Sequence, residues 1–292
     1  MKINRTKNTI KSILSGILNK ILVLILPFMV RTIFIRTLGI EYLGLNSLFT
    51  SILNVLNLAE LGVGSAITFS MYKAIANDDE SEICALENYY KKMYKYIGII
   101  ILIIGILILP FITKFCNNDI PTNVNIYILY ILYLLNTVIS YFLFSYKTSI
   151  LQAHQKVYII NNVNTLVKVC MNIFQMIFLL LGKDYYIYVI IIIIATIIEN
   201  VINAIIVNKK YPTYVPKGNI DDVEKKGITK KVKALFFYKV GGVVLNSIDS
   251  IIISRFLGLM VLGKYNNYYY VITTLFGFLQ IFTNSLVARS WK

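Results

Sequence analysis

The sequence predicts an all-α integral membrane protein, folded as a multi-pass helical bundle. Of the 292 residues, 57% are hydrophobic and only 15% are charged, and the mean hydropathy is +0.69. An ordinary soluble domain is nearer half apolar and a quarter charged. A chain this rich in Ile, Leu, Tyr and Phe does not stay disordered in water either. The apolar residues are gathered in stretches of about 20 or more, which is the length that crosses a bilayer.

Eight such stretches follow one another along the chain. We predict membrane-spanning helices over 12–35, 44–71, 94–113, 126–148, 158–182, 185–207, 234–256 and 265–288. The first stretch is too long for a cleavable signal peptide and is not followed by a small-residue cleavage site. We therefore expect it to remain in the mature protein.

The composition excludes several classes of site. The three cysteines, Cys84, Cys116 and Cys170, are odd in number and far apart. They therefore predict neither a disulfide framework nor a metal site. His154 is the single histidine, which excludes a metal cluster built on histidines. We expect no metal and no cofactor.

The net charge of +15 reports the topology of the chain, because its distribution follows the predicted loops. On the predicted spans, 20 of the 29 basic residues lie on one side of the membrane and five on the other. Short cytoplasmic loops carry the excess of Lys and Arg. The N-terminus and the loop 208–233 are therefore predicted to be cytoplasmic. No nucleic-acid partner is expected.

Two predicted loops are long, 72–93 and 208–233, and both are cytoplasmic and mixed in charge. Pro212, Pro216 and Gly218 mark the second as a hinge-like linker between two helical groups. The predicted external loops are short. A membrane-embedded polymerase or glycosyltransferase generally needs a large external loop, so the sequence favours a protein that is not an enzyme.

An internal repeat links the two ends of the chain. Residues 36–44 and 255–263 both read R-x-L-G-x-x-x-L-G, at an offset of 219 residues. At the same offset Lys20 matches Lys239, each within its predicted span. Both copies are entered from the cytoplasm, so the repeat is parallel, as in some transporters.

The repeat defines the predicted domain organisation. Residues 1–207 form an N-terminal lobe of six helices, 208–233 a cytoplasmic linker, and 234–292 the first two helices of a second, repeated lobe. Since the second copy has two helices of an expected six, we expect a truncated transporter or a fragment of a longer chain.

Polar residues within the spans predict a cavity. The four intramembrane bases are Lys20, Arg31, Lys168 and Lys239, and Asn172 and Asn246 lie one or two turns from the last two. Charged groups in hydrocarbon need a partner or water. We predict that these six residues line a mildly cationic cavity that attracts phosphate or pyrophosphate. Interhelical hydrogen bonding is the alternative for the amides, and snorkelling is the alternative for Lys20 and Arg31.

Three further residues are candidates for coupling or gating. Glu60 and Asp249 are acids within predicted spans, and Pro27 interrupts the hydrogen bonding of the first helix. A kink at Pro27 either allows the helix to bend between two states or is static. A polar line along the second span connects Glu60 with Asn46, Thr50 and Asn57.

The run from Arg31 to Gly39, followed by Glu41-Tyr42-Leu43-Gly44-Leu45, resembles the polysaccharide repeat-unit flippases of the multidrug/oligosaccharidyl-lipid/polysaccharide exporter superfamily. Glu60-Leu61-Gly62-Val63-Gly64 is similar to the E-x-G-x-[GS] pattern of that family. The resemblance implies two lobes of six helices around a central, often cationic cavity. It also implies alternating access that moves an undecaprenyl-pyrophosphate-linked oligosaccharide from the inner to the outer leaflet.

The resemblance names partners and leaves alternatives open. The implied partners are the lipid-linked oligosaccharide, the lipid bilayer, and the polysaccharide polymerase and glycosyltransferases of the same pathway. One alternative is a drug or cation exporter of the same superfamily, with Glu60 as its coupling acid. Another is a membrane-embedded polysaccharide polymerase, and a third is a fragment without activity.

Overall fold

The computed structural model describes residues 25–60, 62–117 and 120–290, and every regular element in them is a helix. The first helix, α1, is described over 25–37. The others are α2 (Ile40–Leu56), α3 (Val63–Ala76), α4 (Glu80–Ile108), α5 (Ile126–Phe142), α6 (Thr148–Ala153), α7 (Val157–Gly182), α8 (Tyr185–Lys210), α9 (Asp222–Leu257) and α10 (Leu259–Ser290). Short 3₁₀ turns lie at Asn57–Glu60, Leu109–Phe115 and Ser145–Lys147.

Side-chain caps set the start of three of these helices. Asp79 accepts a hydrogen bond from the Glu82 backbone N–H at 3.0 Å and begins α4. Asn125 caps α5 and Asp184 caps α8 in the same way. Such caps satisfy backbone N–H groups that have no partner within the helix.

The predicted span 44–71 is wrong as a single helix, because the chain breaks between α2 and α3. The break comprises the 3₁₀ turn Asn57–Glu60 and Gly62, whose φ is +91°. Glycine adopts this left-handed conformation without strain. The predicted span 126–148 is also divided, since α5 ends at Phe142 and the segment to Ala153 turns away by 48°.

The prediction of a loop over 72–93 is wrong for most of its length. Helix α3 continues to Ala76 and α4 begins at Glu80, so only three residues separate them. The helices predicted over 158–182 and 185–207 are confirmed as α7 and α8 within a few residues. Helix α9 begins at Asp222, twelve residues before the predicted span.

The chain is a multi-pass membrane protein. In residues 25–60, 62–117 and 120–290, four helices are long and apolar enough to cross a bilayer, or five if α5 and the segment to Ala153 form one bent span. Helix α2 is apolar but shorter. The total of eight spans stays a prediction, since the start of the first lies outside the described residues.

Aromatic side chains fill the centre of the bundle, where α1, α2, α5 and α8 meet. Phe34 and Tyr185 are fully buried with ring centres 5.4 Å apart, edge to face. Phe49 and Tyr130 form a similar pair at 5.5 Å. Edge-to-face pairs contribute about 0.5–1.5 kcal/mol beyond the area they bury. These contacts fix the inward faces of the helices that surround the site.

The segment between α8 and α9, predicted to be hinge-like, is attached to the first turns of α4 and to the end of α6. Asn88 donates to the Gly218 carbonyl at 2.7 Å, and Lys92 donates to Asn219 Oδ1 at 3.2 Å. Tyr211 stacks on His154 with ring centres 4.4 Å apart. Burial, assisted by nearby Lys156, lowers the pKa of His154 to about 4, so this imidazole is neutral at pH 7.

The two copies of the sequence repeat share a backbone feature. Gly39 (φ +120°) ends the first helix of one copy and Gly258 (φ +89°) that of the other. Their ψ angles are 168° and 170°. L side chains rarely adopt these conformations, which accounts for glycine at both positions. Each glycine is followed at once by the next helix, α2 or α10.

Candidate functional site

A polar cavity of about 470 Å³ lies between α2, α5 and α8. Within the described residues, its walls carry amides, hydroxyls, phenols and two aliphatic side chains, and no charged group. The lining residues are Asn46, Thr50, Leu53, Asn54, Asn57, Tyr133, Asn136, Thr137, Ser140, Tyr188, Ile192 and Thr196. Polar groups in a membrane bundle either pair with one another or face water. The polar side chains of these walls therefore need hydrogen-bond partners.

Helical spacing brings these residues to a common space. Asn46, Thr50 and Asn54 are separated by one turn each and so lie on one face of α2. On α5 the spacing from Tyr133 through Asn136 to Ser140 has the same effect. The cavity is therefore walled by two polar stripes that face each other, and α8 closes the third side.

Hydrogen bonds hold the walls in place while leaving capacity for a ligand. The Tyr133 hydroxyl donates to Asn46 Oδ1 and lies 3.1 Å from the Tyr185 hydroxyl. Thr196 donates to Asn136 Oδ1 at 2.8 Å, joining α8 to α5. A primary amide has two N–H donors and one carbonyl acceptor. These bonds use the amide oxygens of Asn46 and Asn136, and the amide N–H groups can serve a ligand.

Glu60 lies beyond Asn57, at the break between α2 and α3. Its Oε1 accepts a hydrogen bond from Tyr94, and its Oε2 accepts one from Tyr141 at 2.9 Å. The Tyr141 hydroxyl also lies 3.1 Å from Asn57 Oδ1, which lines the cavity. A carboxylate with two hydroxyl donors is stabilised in a place where an unpaired charge is unfavourable. The cavity is thus connected to one acid through a single tyrosine.

Arg31 joins α1 to α10. Its Nε donates to Asn267 Oδ1 at 3.0 Å, and its guanidinium carbon lies 5.1 Å from the centre of the Tyr270 ring. Its Nη2 is buried and has no hydrogen-bond partner among the described residues. The guanidinium therefore joins two helices of different predicted lobes, and the two N–H donors of its Nη2 are available to a ligand.

A sequence profile decides the family. The profile of the family described as polysaccharide biosynthesis protein matches residues 6–287. The chain belongs to this family. Comparison with curated proteins finds no significant match, and comparison with solved structures finds none either. Members of the polysaccharide biosynthesis protein family are generally membrane flippases for lipid-linked oligosaccharides rather than enzymes.

The other basic residues described, which were predicted to line the cavity, lie away from it. Lys168 on α7 and Lys239 on α9 are half-buried, and neither lines the walls between α2, α5 and α8. Lys20 lies outside the described residues. Asn172 is buried, and its amide donates to the Lys168 carbonyl at 2.7 Å within α7. The role of these residues as a cationic lining stays a prediction.

The remaining candidates are placed as follows. Asp249 is exposed and accepts a hydrogen bond from Tyr265 at 3.0 Å, which joins α9 to α10. Asn246 lies in α9, and its side chain is outside the described part. Pro27 is half-buried in α1, close to the first described residue. Of the three coupling candidates, Glu60 is the one linked to the cavity by hydrogen bonds.

Sequence reasoning found one wall of the cavity and missed the others. Asn46, Thr50 and Asn57 belong to the polar line predicted on the second span, whereas Tyr133, Asn136 and Thr196 were not singled out. A search for charged residues passes over α5, which has none. The available signal was the recurrence of hydroxyl and amide side chains every three or four residues from Tyr133 to Ser140.

Proposed function

We propose that this protein translocates undecaprenyl-pyrophosphate-linked oligosaccharide repeat units of the capsule, exopolysaccharide or O-antigen type across the bacterial cytoplasmic membrane. Family membership supports the general class of substrate. The observation that carries the proposal further is the uncharged polar cavity between α2, α5 and α8.

The chemistry of the cavity suits carbohydrate. A sugar presents many neutral hydroxyl groups, each both a donor and an acceptor, and amide and hydroxyl side chains complement them. The described walls supply four asparagines together with threonine, serine and tyrosine hydroxyls. A drug of mainly apolar surface would leave these groups without partners at a cost of about 1–3 kcal/mol each. The oligosaccharide is therefore the occupant that we assign to this cavity.

The pyrophosphate requires a cation, and the described lining of the cavity contributes none. Arg31 supports this role because its Nη2 donor is buried without a partner in the described part of the chain. Guanidinium groups bind phosphate oxygens through paired N–H donors. We assign the pyrophosphate to Arg31, with Lys20, Lys168 and Lys239 as further counter-charges along the path.

Alternating access is the proposed mechanism. Helices α2 and α10 pack closely where each begins, a contact that would close one end of the path. The break at Asn57–Gly62 gives α2 a point about which it can tilt relative to α3. We place the N-terminus in the cytoplasm. The proposed partners are the polysaccharide polymerase and the glycosyltransferases of the same pathway.

Complementation of a strain that lacks its own flippase tests the function, with surface polysaccharide as the readout. Asn136→Ala removes a cavity amide, while Leu135→Ala changes the adjacent residue, which is 39% exposed away from the cavity. We expect the Asn136 variant to reduce export at equal expression and the Leu135 variant to retain it. Unchanged export with Asn136→Ala, Thr196→Val and Asn46→Ala combined would remove the cavity from the path.

The Glu60 cluster supports one second candidate, an exporter of drugs or cations coupled through this acid. Glu60 accepts hydrogen bonds from two tyrosines, and one of them also contacts the cavity lining. A single side chain therefore separates this ionisable group from the cavity. The same strain expressing the protein, challenged with cationic dyes, separates the two functions. Dye efflux that depends on Glu60, without restored polysaccharide, would favour the exporter.

A further inference from the structure

Three lysines form an exposed stripe on the first half of α9. Lys226, Lys230 and Lys233 are all exposed. Because they are spaced at i, i+4 and i+7, they share one face of the helix and cover about 10 Å along its axis. We call this feature the α9 lysine stripe.

The opposite face of α9 is packed, which fixes the direction of the stripe. Ile228 is buried, and Leu235 lies against Gly62 at the start of α3. Lys231, on the packed side, lies 4.4 Å from the centre of the Phe69 ring. The stripe therefore faces away from the bundle and away from the cavity between α2, α5 and α8.

The charge of the stripe is not neutralised within the described residues. Asp222 forms its ion pair with Lys225, at 2.9 Å. In residues 25–60, 62–117 and 120–290, no carboxylate lies within ion-pair distance of Lys226, Lys230 or Lys233. Three ammonium groups on one open face attract a polyanion or a layer of anions.

The same face becomes apolar farther along the helix. Phe237, one turn beyond Lys233 on this face, is 75% exposed, and Leu245, about a quarter of a turn round the helix from it, is 74% exposed. Lysines followed by large apolar side chains match the change from headgroups to acyl chains at a membrane surface.

We propose that the α9 lysine stripe binds the phosphate groups of anionic phospholipids in the cytoplasmic leaflet. The direction of the stripe assigns it to the lipids around the bundle rather than to the transported lipid. Clusters of lysines next to a membrane span bind anionic lipid, and each contributes about fivefold to the affinity. The proposal does not rest on the proposed transport function, since it needs only the membrane location, the exposed face and the predicted cytoplasmic side of the start of α9.

Binding of defined lipids to the purified full chain tests this inference. The probes are phosphatidylglycerol, phosphatidylcholine and a polyprenyl diphosphate, each titrated into detergent-solubilised protein and counted by native mass spectrometry. The variant Lys226→Gln/Lys230→Gln/Lys233→Gln is compared with Lys209→Gln/Lys210→Gln/Lys217→Gln, which removes the same charge from other exposed positions. We expect the stripe variant to bind phosphatidylglycerol at least tenfold more weakly, and the control variant to stay within twofold of the parent.

A variant with arginine at all three stripe positions keeps the charge and is expected to keep the binding. An equal loss in the stripe and control variants would overturn the proposal, because the attraction would then be diffuse. Stripe-dependent binding of the polyprenyl diphosphate in preference to phosphatidylglycerol would also overturn it, since the site would then serve the transported lipid. The elution profile of the glutamine variant shows whether that variant is folded. If it is not, phosphatidylglycerol binding by the arginine variant, compared with that of the control variant, decides whether the proposal holds.

Discussion

Gly44 of α2 and Gly263 of α10 lie on the two sides of one helix crossing. A Cβ at Gly44 would overlap the carbonyl oxygen of Leu259, and one at Gly263 would overlap that of Ile40. The repeat offset of 219 residues exchanges these two contacts, as a two-fold axis would. Small residues allow helix backbones to approach closely in membranes. The glycines conserved between the two repeat copies therefore serve one contact.

Replacing either glycine with leucine is expected to separate α2 from α10. The added side chain has no space, and such overpacking costs about 1–3 kcal/mol or more. Thermal unfolding of the purified protein should show lowered stability for Gly44→Leu and for Gly263→Leu. Gly241→Leu is the control, because nothing lies within 4 Å of a Cβ at Gly241. Equal unfolding temperatures for all three variants would contradict the crossing.

Glu60→Gln is expected to slow transport about tenfold. The amide has a single acceptor oxygen, so one of the bonds from Tyr94 and Tyr141 is lost, and a bond to a charged group contributes about 1.5–3 kcal/mol. The measurement is surface polysaccharide at matched expression. Glu80→Gln is the control, since Glu80 is exposed at the start of α4. Wild-type export by Glu60→Gln would exclude a role for the charge.

Lys168→Gln and Lys239→Gln test the predicted counter-charges. Glutamine keeps hydrogen bonding but removes the cation, so export should fall at unchanged expression if these lysines attract pyrophosphate. Arginine at the same positions should retain more export than glutamine. Expression that falls together with export would instead indicate a structural role for these side chains.

The predicted topology places Asp79 and Glu224, one in each of the two long predicted loops, on the cytoplasmic side of the membrane. In a background where Cys84, Cys116 and Cys170 are replaced, single cysteines at Asp79 and Glu224 should not react with an impermeant maleimide in intact cells. After permeabilisation the cysteine at Asp79, which is exposed, should react. Labelling of either position from outside would show that the orientation is inverted.

The protonation of His154 should contribute a loss of folding stability in mild acid. Its pKa is lowered to about 4 in the folded chain, while the unfolded value is near 6.5. The unfolded state therefore binds a proton between pH 6.5 and pH 4 and the folded state does not, so stability declines as pH falls through this window and is unaffected above it. The slope is at most about 1.4 kcal/mol per pH unit. Unfolding temperatures of the parent should show this decline relative to a variant that has no titratable group at position 154.

The chain itself offers the control for that experiment, since His154 is its single histidine. His154→Phe keeps a ring to stack on Tyr211 and cannot titrate. Burial raises the pKa of Glu87 to about 7, so this carboxyl stabilises the fold as pH falls through the same window, equally in both proteins. The stability of the parent relative to the variant should therefore fall between pH 6.5 and pH 5. A difference between the two proteins that does not change with pH would assign the pH dependence to groups other than His154.

Hydropathy predicted those helices whose ends coincide with polar residues. Helices α7 and α8 were placed within three residues at each end, because Lys183 and Asp184 interrupt two long apolar runs. The span 44–71 was predicted as one helix, because hydropathy does not detect a backbone break such as that at Gly62. The polar face of α5 was missed for a related reason. Its tyrosine and threonine side chains lower the mean hydropathy of the segment only slightly, so the segment reads as uniformly apolar.

The sequence by itself determined that this chain lies in a membrane, that its basic residues favour one orientation, and that residues 36–44 recur at 255–263. Those properties are sums and periods along the chain, and the bilayer acts on them directly. Only the tertiary structure decided that the cavity walls formed by the described residues are uncharged and that Arg31 contacts Asn267, 236 residues away. Such contacts depend on the rotation and tilt of each helix against its neighbours, which side-chain packing sets and composition does not.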